Sequence, residues 1–210
     1  MRQVLCIHGW GFAAGFWQPL VERLPDFEVQ CADLGFYGEP YLPESDCPLI
    51  VAHSMGLAWA LAHIRRPWAG VLSVNGFARF TRASHFIEGV PPRMIERMQS
   101  RFAESPQAVT ADFLNRCGVA EPDTRAVAPE PLGTALAWLA KCDERTALRM
   151  LTCPRLALAG LADPIVPAAM STASFPPEEL ILAEGGGHLL PLTHPDWVAS
   201  HLRLLAAMAS

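Results

Sequence analysis

The chain has 210 residues, 51% of them hydrophobic and 18% charged, with a net charge of −5. That length fits one domain with room for an insertion, and the apolar fraction is enough for a large buried core. The acidic balance leaves no basic footprint for nucleic acid, and the apolar runs fall short of the ~20 residues that a membrane span needs.

Residues 3–8 read as the first strand, which runs into Gly9-Trp10-Gly11. In a serine hydrolase a turn at this place supplies one backbone N–H of the oxyanion hole. The Trp10 amide is the candidate donor, and Gly9 and Gly11 permit the close backbone approach it needs. His8 reads as a structural residue that holds the turn by hydrogen bonds. A helix over 16–24 and a strand over 27–32 follow. Only residues 36–47 then link the region of Asp33 to the next strand, and Pro40, Pro43 and Pro48 argue against a helix there.

A strand over 48–53 ends in Ala52-His53-Ser54-Met55-Gly56, and a helix over 56–66 begins. An apolar strand, a serine between small neighbours and a helical run form the context of a nucleophile elbow. Ser54 is the candidate nucleophile, and the Met55 amide is the second candidate oxyanion donor. Ala52 departs from the usual first glycine by one methyl group. A serine before a helix is also a favoured N-cap, so the pentapeptide alone leaves both roles open.

After a strand over 70–75 the rhythm changes. No buried strand is predicted between about 78 and 150, where 91–103, 106–117 and 132–150 read as helices. We expect a helical lid here, inserted into a core made of 1–77 and 151–210. The alternation resumes with a strand over 154–159 that leads to Asp163-Pro164. A strand over 179–184 then leads through Gly185-Gly186-Gly187 to His188, and a helix follows over 194–208. Asp163 is the candidate acid and His188 the candidate general base. Asp-Pro is an ordinary turn dipeptide, and a lone loop histidine is ordinarily inert. The order Ser54, Asp163, His188, each behind a predicted strand, sets them apart. The whole pattern implies an α/β protein with a doubly wound, mostly parallel sheet and a site at the carboxyl ends of its strands.

Six cysteines, at 6, 31, 47, 117, 142 and 153, form no C-x-x-C pair and no zinc-like spacing. With no signal-peptide pattern at the start, a cytoplasmic monomer with buried thiols and no bound metal is expected.

These motifs resemble the α/β-hydrolase superfamily over most of the chain. Within it they are most similar to the pimeloyl-acyl carrier protein methyl ester carboxylesterases of biotin synthesis. The residues that carry the likeness are Ile7-His8-Gly9-Trp10-Gly11 with Trp17, Ala32-Asp33-Leu34-Gly35-Phe36-Tyr37-Gly38, and His53-Ser54-Met55-Gly56. Gly160 to Pro167, and His188 with His194-Pro195, complete them. The resemblance implies a compact α/β-hydrolase fold that lacks the usual antiparallel edge strands before the first strand. It implies a Ser-His-Asp carboxylesterase that cleaves the methyl ester of pimeloyl-acyl carrier protein and needs no cofactor. It further implies substrate contacts from Phe113 and Cys117 on the lid and an acidic acyl carrier protein as partner.

Trp10, Phe77, Phe80 and Phe113 are candidates for an acyl pocket. A partner of that charge calls for a basic surface. Between 79 and 101 lie Arg79, Arg82, Arg93, Arg97 and Arg101 against Glu88 and Glu96. Arg93, Arg97 and Arg101 recur every fourth residue and stack along one helix face. The stripe is a candidate carrier contact, although a solvated helix face would read the same way. Two other functions stay open: hydrolysis of another small ester, thioester or β-diketone, and binding by a hydrolase fold without catalysis.

Overall fold

The computed structural model describes residues 1–209. Its centre is one sheet of β1 (Arg2–Ile7), β2 (Phe27–Ala32), β3 (Leu49–His53), β4 (Gly70–Val74), β5 (Arg155–Gly160) and β6 (Leu180–Ala183). The spatial order is β2-β1-β3-β4-β5-β6, and all five pairings are parallel. Parallel neighbours need crossovers, and crossovers cover both sheet faces. Every residue of β3 and β4 is accordingly buried, which explains why their sequences read as continuous apolar runs.

The pleat sends alternate side chains into two cores. Leu49, Val51, Leu72 and Val74 meet Val198, Leu202 and Leu205 of α9 (Pro195–Met208) on one face. Ile50, Ala52 and Val71 meet Leu57 and Leu61 of α2 (Met55–His63) on the other. Each such leucine, isoleucine or valine contributes about 1.5–3 kcal/mol by leaving water.

The predicted helix over 16–24 is shorter than expected: a 3₁₀ turn at Ala14–Trp17 passes into α1 (Gln18–Val21). No helix joins β2 to β3. Asp33 and Tyr41 close that loop by exchanging backbone hydrogen bonds of 2.8 and 2.9 Å. Four helices lie between β4 and β5, namely α3 (Pro92–Glu104), α4 (Pro106–Cys117), α5 (Pro129–Leu139) and α6 (Arg145–Arg149). The single helix predicted over 132–150 is thus two. The Glu144 N–H leaves the helical ladder and donates to Ala78 O at 2.8 Å, while Asp143 pairs with both Arg79 and Arg145. The break lets α6 turn back onto the sheet, where Leu148 packs in the same core as Leu57. Two short helices escaped the sequence reading, α7 (Ala168–Ser174) and α8 (Leu190–Thr193). Among the described residues no helix is long and apolar enough to cross a membrane.

Candidate active site

The carboxyl ends of five strands converge on one place. His8 and Trp10 follow β1, Ser54 follows β3, Asn75 follows β4, Asp163 follows β5 and His188 follows β6.

Ser54 has φ 54° and ψ −126°, outside the regions a serine ordinarily adopts. Its N–H donates to Val74 O at 3.1 Å, which ties the turn to the neighbouring strand. Gly56 makes the turn possible, because a Cβ there would collide with the carbonyl oxygens of Ile7 and His8. The hydroxyl makes no capping hydrogen bond, so the N-cap role left open by the sequence is not the one it plays.

The Gly9-Trp10 turn presses against this elbow. A Cβ at Gly9 would lie 2.8 Å from Ser54 Cβ, so only glycine fits. His8 organises the turn from beneath. The Leu34 N–H donates to its Nε2 at 3.0 Å, which leaves Nδ1 as the protonated nitrogen, and Nδ1 donates to Gly9 O at 2.9 Å. The Trp10 side chain points the other way, into the helices between β4 and β5. Its indole N–H donates to Leu132 O at 2.9 Å, and its ring meets Phe102 and Phe113 edge-on at 5.9 and 5.0 Å. The Met55 amide opens α2, a position with no acceptor inside the helix.

After β6 and β5, His188 and Asp163 form a buried pair. His188 Nδ1 donates to Asp163 Oδ2 at 2.8 Å. The other carboxylate oxygen, Oδ1, accepts the amides of Ile165 and Val166 at 2.7 and 2.9 Å. His188 Nε2 is buried without a hydrogen-bond partner, and no hydrogen bond joins it to Ser54. His53 links the two regions. Its Nε2–H donates to His188 O at 2.9 Å, and the two rings lie 4.7 Å apart. Burial, and then the neighbouring His188, push the His53 pKa well down, so this imidazole is neutral.

In front of Ser54 opens a cavity of about 550 Å³. Ser54, Met55 and Trp10 form part of its wall, with Phe77, Phe80 and Phe113 as its aromatic lining. Arg97 and Arg101 also line it, whereas Arg93 does not. Arg82 and Arg116 join from other segments, balanced by Glu88 and Asp112. Arg101 is paired with Asp112 at 2.7 Å, and Arg116 donates to Pro164 O at 3.2 Å. Among the described residues, Arg82 and Arg97 have no carboxylate within ion-pair distance.

Cys117 is buried in the main core and lies off the cavity wall; burial first, and then Asp163, push its thiol pKa up. Sequence reasoning passed over Asn75, His53 and Arg116 as site residues, and counted Arg82 only among the arginines of 79–101. A polar residue directly after a central strand is the signal that could have found Asn75. Arg116 had no signal, because it reaches the cavity from a separate segment.

A model of the alpha/beta hydrolase family matches residues 26–201. The chain is 27% identical over 240 residues to a pimeloyl-[acyl-carrier protein] methyl ester esterase from Xanthomonas oryzae pv. oryzae, an alignment covering 97% of this chain and 94% of that one. It is 29% identical over 196 residues to the biotin biosynthesis bifunctional protein BioHC from Cellvibrio japonicus, covering 79% of this chain but spanning only 39% of that protein. Among solved structures, an esterase from Exiguobacterium antarcticum superposes with a TM-score of 0.83 at 15% identity, covering 99% of this chain and 92% of that one. A bromoperoxidase from Bacillus anthracis gives 0.82 at 19% identity, covering 98% and 92%. At those identities the structural matches speak for the fold.

Proposed function

The chain belongs to the alpha/beta hydrolase family, and on that premise we propose that it is a serine carboxylesterase acting on the methyl ester of pimeloyl-acyl carrier protein. The observation that carries the reading is Ser54. It stands in a strained turn on the wall of a largely apolar cavity, and the hydrogen-bonded His188–Asp163 pair follows the carboxyl ends of β6 and β5 in the same parallel sheet.

In this reading Ser54 Oγ attacks the ester carbonyl as its proton passes to His188 Nε2. Asp163 holds the ring in the tautomer that leaves Nε2 free and stabilises the imidazolium that forms. The Trp10 and Met55 amides receive the oxyanion, each worth about 2.7–4 kcal/mol of barrier in comparable sites. Methanol departs with the proton from His188. Water, deprotonated by the same nitrogen, then attacks the acyl-enzyme and frees the acid and the serine. No metal or organic cofactor takes part. The helices α3 to α5 act as the lid that excludes water, while α6 belongs with the sheet.

The substrate assignment rests on the relatives' names and on the cavity. A volume of about 550 Å³ suits a medium acyl chain with part of a linker. Its mouth carries Arg82 and Arg97 free of carboxylate partners, and these would steer an acidic carrier. The carrier contact is taken as Arg82 and Arg97, since Arg101 is paired with Asp112, Arg116 is engaged with Pro164 O and Arg93 lies off the wall.

The test is hydrolysis of methyl pimeloyl-acyl carrier protein beside a short p-nitrophenyl ester, with Ser54→Ala as control. Rapid demethylation of the carrier substrate, abolished in Ser54→Ala, supports the proposal. Turnover of the small ester alone would discard the substrate and keep the mechanism. Charge reversal at Arg82 and Arg97 should raise KM for the carrier substrate and leave the small ester unaffected.

A further inference from the structure

An ester hydrolase built on Ser54, His188 and Asp163 needs the acid and the base held in one arrangement, although they sit on different loops. We propose that Asn75 is a positioning residue for this reaction: its side-chain amide fastens the Asp163 loop to the His188 loop and keeps Asp163 Oδ2 aimed at His188 Nδ1. The inference rests on the assignment of those three residues made above.

Asn75 follows β4 directly and is 1% exposed. Its φ of 50° is left-handed, a conformation asparagine tolerates better than most residues. Its N–H donates to Leu158 O at 2.7 Å, which pins the residue to β5. From there Nδ2 reaches Asp163 Oδ2 at 2.5 Å and Gly187 O at 3.2 Å. A carboxylate and a carbonyl only accept, so the atom between them must be the NH2 group. The opposite atom, Oδ1, is buried without a partner. A buried acceptor left unpaired costs free energy, so the orientation serves the two loops rather than the asparagine itself.

The two contacts fall where the site has least support of its own. Asp163 Oδ1 is fixed by two amides of its own loop, but among the described residues Oδ2 is held only by His188 and Asn75. The His188 loop contains Gly185, Gly186 and Gly187, and Gly185 has φ 71°. Glycines give that loop little stiffness. Asn75 ties down Gly187 O, and His53 ties down the next carbonyl, His188 O. The acid and the base thus share one donor that neither loop supplies.

Asn75→Asp tests this without changing shape. It replaces the donor by a carboxylate about as close to Asp163 as the amide is now. Two carboxylates that close share a proton at low pH, and the shared O–H replaces the lost N–H. As pH rises the proton leaves, the pair repels and Oδ2 is released. The other titratable groups facing this cluster are His188 from the β6 loop, His53 from β3 and Cys117 from α4. The expected result with a p-nitrophenyl ester is a kcat/KM profile that gains a falling alkaline limb absent from the parent. Circular dichroism at each pH separates loss of fold from loss of rate.

Asn75→Ala should lower kcat by roughly 10- to 100-fold with KM nearly unchanged, the span seen when a hydrogen-bond partner that orients a functional side chain is removed. Should Asn75→Ala not fold, the isosteric Asn75→Asp carries the test. An Asn75→Asp profile that superimposes on the parent's, with Ser54→Ala inactive, overturns the role of Asn75 alone. Retained activity in Ser54→Ala overturns the triad, and the role of Asn75 with it.

Discussion

Asp163→Asn separates the catalytic reading from a purely architectural one. The carboxylate accepts four hydrogen bonds, from the Ile165 and Val166 amides on Oδ1 and from His188 and Asn75 on Oδ2. Asparagine keeps the shape but turns one end into a donor. The two backbone amides are fixed and claim the carbonyl end. The amino end then faces His188 Nδ1–H and the Asn75 amino group, donor against donor. The imidazole escapes by moving its proton to Nε2, and a protonated Nε2 has no lone pair to receive the Ser54 proton. In the protease version of this arrangement the wrong tautomer costs about 10⁴ in kcat. At 1.36 kcal/mol per decade that is about 5.4 kcal/mol of barrier. The assay is steady-state hydrolysis of a p-nitrophenyl ester, with KM, circular dichroism and denaturant midpoint measured on the same samples. The expectation is a kcat lower by about four decades, a nearly constant KM and a retained fold. A kcat within tenfold of the parent's would refute the reasoning, because His188 would then keep its working tautomer without Asp163.

Further predictions concern the shell around this pair. Gly9→Ala places a Cβ 2.8 Å from Ser54 Cβ and 3.1 Å from His53 Nδ1. It should cost about 1–3 kcal/mol in denaturant unfolding and, by displacing the Trp10 amide, roughly 10²-fold or more in kcat. Trp10→Phe removes the indole hydrogen bond to Leu132 O and should lower unfolding free energy by about 1 kcal/mol, read as a shift of the denaturant midpoint. The Asp33 carboxyl accepts the amides of Ala14 and Gly35 at 2.9 Å each, which hold its pKa down. Its folded pKa lies below the unfolded value of 3.8, so its contribution is complete above about pH 4 and is lost as pH falls toward 2. Asp33→Asn should flatten that part of the acid-unfolding curve, and an unchanged slope between pH 4 and 2 would contradict the assignment.

Much of this site was legible in the residues because each motif is local. A strand buried on both faces must be continuously apolar, so β3, β4 and β5 could be read directly. The elbow needs a small residue two positions after the serine, because the turn lies against the Ile7 and His8 carbonyls, and Gly56 met that need. Ser54, Asp163 and His188 could be ordered because each closes a strand of a parallel sheet.

What the sequence could not decide depends on groups distant along the chain. Asn75 closes the strand predicted over 70–75, and nothing local says that its amide meets Asp163, 88 residues away. The break between α5 and α6 is set by the Ala78 carbonyl, which the helical pattern of 132–150 does not contain. The fourth-residue spacing of the arginine stripe placed Arg93, Arg97 and Arg101 on one helix but left its rotation open. Successive fourth positions drift by about 40°, so Arg97 and Arg101 reach the cavity while Arg93 turns away. The chain by itself determined the α/β alternation, the elbow and the order of the three candidate catalytic residues, because strand burial and turn sterics act over a few neighbouring residues. Only the tertiary structure decided which donors aim the acid, where α5 ends and which arginines line the mouth, because those outcomes follow from hydrogen bonds and packing between segments that meet only in the folded chain.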